Sequence, residues 1–391
     1  MIELLPRVDK KRHMSGSDKN NTGDSKVITR HSILFRCDGS HEIGFGHVVR
    51  CLALADELRE RHGCDITFAM LRDRTAVDLI KRYGYKVATT DSASKDFAYE
   101  DWLNGVVHAT KAEVLVLDVR DELPGEAIMV IRKKGVVVAT IDDPTPRRLL
   151  ADLAFYPPVP QLERLDWLGF TGRLYAGWEW VVLRKEFAHP VNAHGDTGEG
   201  LSTPQSRGIP NILVTMGGSD PQGMTIKAIN ALALLDDQFE TMIILGPGFA
   251  HRKDLDELLD GFSHPYKIYE NISNMSDIMA EADLAVASFG VTAYELAAMG
   301  VPAIYMCLTE DHVESASIFQ TNEMAFCLGH FKEVTQGMLA QKIKYVLTQL
   351  LLREDMAKRS QKLVDGNGAF LIAQKIMAEI NSGRKERVAG S

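Results

Sequence analysis

The sequence predicts two Rossmann-like, doubly wound α/β halves facing each other across a cleft, and three observations predict it. From residue 31 onward, short Val- and Ile-rich apolar runs alternate with helical patterns, as parallel strands buried on both faces require. That rhythm breaks between about residues 184 and 208, where Gly, Ser, Thr and Pro crowd together, and then starts again. The chain has 391 residues, too many for one ordinary core and enough for two.

In the first half, strands are expected at Ile33–Cys37, Ile66–Leu71, Lys86–Thr89, Val114–Asp118, Val136–Ile141 and Leu153–Phe155. Helical patterns such as Thr75–Tyr83 and Gly125–Lys133 sit between them. Second-half strands are expected at Ile212–Met216, Met242–Leu245, Lys267–Tyr269, Leu284–Ala287 and Ala303–Met306. Their helices are Pro221–Leu235, Arg252–Leu259, Met275–Ala282, Ala293–Met299 and His312–Asn322, and then Thr335–Leu352, Arg353–Val364 and Ala369–Asn381. The expected division is a disordered leader at 1–30, an N-terminal domain at 31–183, a linker at 184–208, a C-terminal domain at 209–370, and a helix with a tail at 371–391.

Composition narrows the class. Hydrophobic residues make up 45% and charged residues 25%, as in a soluble globular chain. The formal charge of −9 comes without a basic block and argues against nucleic acid as a partner. No apolar run approaches the length of a membrane span. The polar leader lacks the apolar stretch of a secretory signal. Five scattered cysteines signal neither a disulfide framework nor a zinc site, so the expected compartment is the reducing cytoplasm.

The most informative stretch runs from Arg36 to Arg50. An apolar strand, Ile33 to Phe35, enters a loop with Gly44 and Gly46 that runs into a helical pattern, Cys51 to Leu58. Glycines let the backbone approach a ligand closely, and the new helix turns its free N–H groups and positive dipole end to the same place. His47 on the first turn adds a base beside an anion-friendly loop. The loop is not a dinucleotide fingerprint, because Val49 replaces the third glycine and Arg72 follows the next strand where an acidic residue would hold a ribose. Nor does a Gly-Lys-Ser/Thr follow, as a phosphate-binding P-loop requires.

The second half offers three more loops at strand ends. Gly217-Gly218-Ser219 makes a tight turn before Asp220, a good N-cap, and Pro221, which fits the first helical position. That geometry suits an anion, and it also suits a plain capped helix. The run from Ser288 to Pro302 contains Phe289, Gly290, Val291 and Thr292, with Glu295 three residues beyond Thr292. Glu295 either closes a capping box with Thr292 or accepts both hydroxyls of a ribose, and the two roles compete for one carboxylate. The turn Asn271 to Met275 leaves backbone groups near Ile272 able to meet a uracil edge, or forms an ordinary turn.

These pieces, in this order, resemble the GT-B nucleotide-sugar enzymes, in particular the UDP-sugar hydrolases of pseudaminic-acid biosynthesis and the spore-coat polysaccharide proteins. The resemblance spans about residues 31–330. It is carried by Arg36-x-Asp38 with Gly44-x-Gly46-His47-x-x-Arg50, by Ile141-Asp142-Asp143 and Leu183-Arg184-x-x-Phe187, and by Gly217-Gly218-Ser219-Asp220, Asn274-Met275 and the Ser288–Pro302 run. It implies that the C-terminal half holds UDP. The loops at Gly217–Ser219 and Gly290–Thr292 would meet the diphosphate, Glu295 the ribose and the backbone near Ile272 the uracil. It also implies that His47 activates water, which attacks the anomeric carbon and displaces UDP.

Attack by water needs a base that titrates near neutrality, which histidine supplies. Two helix N-termini aimed at the leaving diphosphate would stabilise its growing charge, so neither a metal nor a cofactor is expected. Asp38 is a candidate to orient His47 or to bind a sugar amide, and its other reading is a turn cap. Three positions depart from the family pattern. Phe289-Gly290-Val291-Thr292 stands for a second glycine pair, Asp311-His312 for an Asn-Gln, and Asp118-Val119-Arg120 for an Asp-x-Tyr. The last two are expected to touch the sugar.

Hydrolysis of a UDP-activated amino-deoxy sugar is therefore the leading expectation. A GT-B glycosyltransferase with the same donor pocket is the alternative. A binding protein without catalysis and a hydrolysing epimerase remain as further classes.

Overall fold

The computed structural model describes residues 30–40, 44–71, 73–90, 97–188, 208–270, 272 and 274–389. All of the expected leader except its last residue, and residues 189–207 of the expected linker, lie outside them, as do 41–43 of the first glycine loop and residues 271 and 273 beside Ile272.

Two all-parallel sheets form. The first half runs β1 (Ser32–Cys37), α1 (Gly46–His62), β2 (Asp65–Leu71), α2 (Arg74–Arg82), β3 (Lys86–Thr90), α3 (Tyr99–Thr110), β4 (Val114–Asp118), α4 (Gly125–Lys133), β5 (Val137–Ile141), β6 (Leu153–Tyr156) and β7 (Arg173–Ala176). Its strand order is β3-β2-β1-β4-β5-β6-β7. The second half runs β8 (Asn211–Thr215), α5 (Met224–Leu232), β9 (Glu240–Leu245), α6 (Arg252–Leu259), β10 (Tyr266–Glu270), α7 (Met275–Met279), β11 (Leu284–Ser288), α8 (Val291–Ala298), β12 (Ala303–Cys307), α9 (Glu310–Thr321), β13 (Ala325–His330), α10 (Gln336–Thr348), α11 (Leu350–Leu363) and α12 (Gly368–Ala389). Its order is β10-β9-β8-β11-β12-β13. Each sheet reverses direction beside its first strand, at β1/β4 and at β8/β11, and the carboxyl ends of strands at such a switch point are where open α/β sheets bind ligands.

Each sheet is covered on both faces. In the first, α1 packs one face with Leu54, Phe35 and Phe68, and α3 and α4 cover the other with Leu103, Ile128 and Leu115. The second sheet buries Leu213 and Ala285 on one face and Val214 and Ile304 on the other. The last helix, α12, leaves the C-terminal half and seats Ile372, Ala373 and Ile376 in the core of the N-terminal half, against α1. Among the described residues no helix is long and apolar enough to cross a membrane.

Some elements differ from expectation. The helix expected from Pro221 starts at Met224, because Asp220 (φ 40°) and Gly223 (φ 62°) turn the chain through the left-handed region first. The long helix expected over Thr335–Leu352 breaks at Gln349, so α10 and α11 are separate. Strands β7 and β13 are additional. β7 is an edge strand of mixed, largely exposed residues, so it lacks the apolar run that marks the buried strands. The first residues of the expected linker are packed. Phe187 is buried in the C-terminal core, and a β-carbon at Gly366 would lie 2.3 Å from the Phe187 carbonyl oxygen.

Candidate active site

The site lies where the carboxyl ends of the two sheets meet, around a cavity of about 570 Å³. Its N-terminal wall is made by Gly44, Phe45, Gly46, His47, Arg50, Arg120 and Asp142, and its C-terminal wall by Gly217–Pro221, Ser288–Thr292, Asp311 and His312. The walls touch. A β-carbon at Gly46 would sit 3.5 Å from Val291 Cγ2, and one at Gly218 would sit 3.6 Å from the Phe45 ring.

On the N-terminal wall, the first turn of α1 presents His47 and Arg50 to the end of β4. His47 Nδ1 lies 2.6 Å from Asp118 Oδ1. A carboxylate only accepts, so Nδ1 carries the proton and the lone pair belongs to Nε2. Arg50 clamps the same carboxylate, with Nε 2.5 Å from Oδ2 and Nη2 2.6 Å from Oδ1. Asp118 is fully buried. Burial alone would raise its pKa, but Arg50 and His47 outweigh that and hold it well below the usual carboxylate range. The chain of charges continues through Asp142, whose Oδ2 lies 2.9 Å from Arg120 Nη2 and 3.5 Å from Arg50 Nη1. Asp142 has φ 51°, a left-handed conformation costly for a residue other than glycine, and such strain concentrates at functional sites.

The C-terminal wall works through backbone. Gly217 (φ 77°) turns the chain after β8. The loop then lies on Gly246, where a β-carbon would come within 2.4 Å of the Gly217 and Gly218 carbonyl oxygens, so only glycine allows the contact. Asp220 accepts the N–H groups of Met224 and Thr225 at 2.8 Å each, which caps α5. Thr309 likewise caps α9, accepting from His312 N at 3.1 Å. In contrast, α8 starts after Gly290 with no side-chain cap, and so does α1 after Phe45. These two helix starts, neither with a side-chain cap, meet at the Gly46–Val291 contact.

The sequence-predicted residues divide cleanly. Gly44, Gly46, His47, Arg50, Gly217, Gly218, Ser219, Phe289, Gly290, Val291, Thr292, Asp311 and His312 all line the cavity. Asp38, Ile272 and Glu295 do not. Asp38 does not orient His47. Its carboxylate pairs with the buried Arg36 at 2.5 Å and accepts the Leu71 N–H at 2.8 Å, while Asp118 holds the histidine. The capping box is absent because Thr292 is the second residue of α8 and its N-cap is Gly290. The Glu295 carboxylate instead meets Arg184 Nη2 at 3.1 Å. Burial raises the Glu295 pKa, and Arg184 opposes that rise. Val291 causes no strain, since it sits in the first turn of α8 with a negative φ. His312 is half-buried, and its surroundings lower its pKa by desolvation against the opposing charge of Asp311.

Asp118 is a candidate residue that sequence reasoning placed at the sugar and the structure places at the histidine. A signal existed, because Asp118 ends β4 directly beside Cys37 of β1 at the switch point. Gln161 was missed altogether. Its Nε2 reaches the Asp311 carbonyl (3.1 Å), Asp311 Oδ1 (3.0 Å) and Ser315 Oγ (2.8 Å), so it ties the N-terminal half to α9 across the cleft.

The two sheets form a GT-B fold, and residues 211–371 match the glycosyltransferase family 28 C-terminal domain. The architecture is similar to that of Acinetobacter baumannii MurG, with a TM-score of 0.68 and 15% identity over 89% of this chain and 99% of that one. Among relatives, the uncharacterized protein MJ1062 of Methanocaldococcus jannaschii is 29% identical over 282 residues, 70% of this chain and 55% of that protein. The spore coat polysaccharide biosynthesis protein SpsG of Bacillus subtilis is 24% identical over 339 residues, 86% of this chain and 94% of that protein. The UDP-2,4-diacetamido-2,4,6-trideoxy-beta-L-altropyranose hydrolase of Campylobacter jejuni is 25% identical over 203 residues, 51% of this chain and 65% of that protein. The chain thus spans just over half the length of the first of these and about two thirds of the hydrolase.

Proposed function

We propose that this protein hydrolyses a UDP-activated amino-deoxy sugar to the free sugar and UDP. The observation that carries this reading is the His47–Asp118 pair set against the uncapped start of α8. With Nδ1–H held by Asp118, Nε2 takes a proton from water as the water oxygen bonds to the anomeric carbon. The bond from that carbon to the diphosphate oxygen breaks, and UDP leaves with the electron pair. Its negative charge grows toward the N–H groups at the start of α8 and in the Gly217–Ser219 loop, which are fixed before the reaction begins. Asp311 and His312 would meet the sugar. Glu295 and the backbone near Ile272 would receive the nucleoside beyond the cavity. The similarity to a named UDP-sugar hydrolase and to a spore-coat polysaccharide protein supports both the substrate class and a place in surface-polysaccharide chemistry.

The second reading is a glycosyltransferase, favoured by the match to the family 28 C-terminal domain. There His47 would deprotonate an acceptor hydroxyl, with the donor held in the same way. The test is UDP release from a panel of UDP-sugars in ¹⁸O-labelled water without acceptor. Hydrolysis predicts rapid release with the label on the sugar. Release that waits for an added acceptor supports transfer, and label found on UDP contradicts attack at carbon.

A further inference from the structure

We propose that the crossover segment Arg184–Phe187 is part of the nucleotide site, with Arg184 as a positioning residue that fixes the Glu295 carboxylate for the ribose. This rests on the nucleotide-sugar reading above. The segment has the composition of a linker edge, yet it reaches both places assigned to the nucleoside. Arg184 Nη2 lies 3.1 Å from Glu295 Oε1, and Nη1 lies 3.1 Å from Glu186 Oε1. That same Glu186 oxygen accepts the Met275 N–H at 3.2 Å, at the start of the short helix just after Ile272. One guanidinium and one carboxylate therefore link α8, which carries the candidate ribose acceptor, to the turn that carries the candidate uracil contact.

The segment is held firmly enough to act this way. Phe187 is buried in the C-terminal core, and the Arg184 guanidinium lies 5.1 Å from its ring centroid. The backbone of Gly366 closes on the Phe187 carbonyl. Arg184 occupies only Oε1 of Glu295. Oε2 has no partner among the described residues, and this leaves an acceptor for a hydroxyl. Glu295 is only 4% exposed, and a carboxylate that deep needs a cation to stay ionised and accepting. The charged side chains acting on it are Arg184 and Glu186. Its own helix carries no other charge, and α11, which packs against α8, adds none.

The test compares UDP and inorganic pyrophosphate binding by wild type, Arg184→Met, Arg184→Lys and Glu186→Gln across pH. In Arg184→Met, Glu295 protonates more readily. UDP affinity should therefore fall about tenfold near neutral pH and recover as pH rises, with pyrophosphate affinity unchanged. Arg184→Lys keeps the charge and should restore most of the affinity. Glu186→Gln should weaken UDP by a smaller, pH-independent factor. If the methionine variant does not fold, Glu186→Gln decides. UDP affinity like wild type in Arg184→Met, or in Glu186→Gln where the methionine variant does not fold, overturns this inference alone, as does equal loss of UDP and pyrophosphate. Wild type that binds no UDP overturns the nucleotide reading and this inference with it.

Discussion

The two walls of the cleft are built from different materials. The N-terminal wall is a chain of polar and charged side chains: His47, Asp118, Arg50, Asp142 and Arg120, each bonded to the next. The C-terminal wall is largely backbone. Of the two carboxylates that line it, Asp220 is buried and turned into its own helix and Asp311 accepts from Gln161. A wall of oriented charges moves protons, while a wall of fixed N–H groups holds an anion without reorganising. On the proposed reading, the difference assigns chemistry to one half and holding to the other.

Substitutions that break the assignment should show it in order of size. Asp118→Asn removes the acceptor that fixes the His47 tautomer. Turnover should drop about 10³-fold, within the range for a lost general base, while UDP affinity stays put. Steady-state kinetics beside equilibrium binding measures both. Arg50→Met leaves a buried carboxylate short of its cation and should cost about 3–5 kcal/mol of stability, seen as a fall in Tm. Its pH dependence has a definite sign. A depressed carboxylate contributes fully above its unfolded pKa of about 4 and loses that contribution as pH falls through its lower folded value. Without Arg50 the folded value rises, so acid unfolding should begin at higher pH.

Asp220→Ala tests the other wall. Loss of the α5 cap should cost about 1–2 kcal/mol and weaken UDP binding while kcat holds. The smallest effect belongs to the rim. Arg164 pairs with both oxygens of Glu314 in the open, so Arg164→Ala should leave Tm unchanged within error.

Much of this was legible in the sequence because it is local. The Gly44–His47 loop, the turn at Gly217 and the Gly290 helix start each announce themselves within a few residues, as do the buried Val- and Ile-rich strands. What was not legible joins distant segments. Asp118 and His47 are 71 residues apart and meet only because β1 and β4 are neighbours. Glu295 and Arg184 are 111 residues apart, and the local pattern around Glu295 mimics a cap. Helix α12 crosses to the N-terminal half because α1 offers an apolar face there, and no pattern within α12 names its partner.

The central claim is that His47 serves the chemical step and not the binding of nucleotide. The direct measurement is His47→Ala, assayed for UDP release from its UDP-sugar and for UDP affinity on the same preparation. The account predicts turnover lower by about 10²–10⁴-fold with Kd for UDP within a few-fold of wild type. Turnover near the wild-type rate, or turnover and UDP affinity lost together, would contradict it.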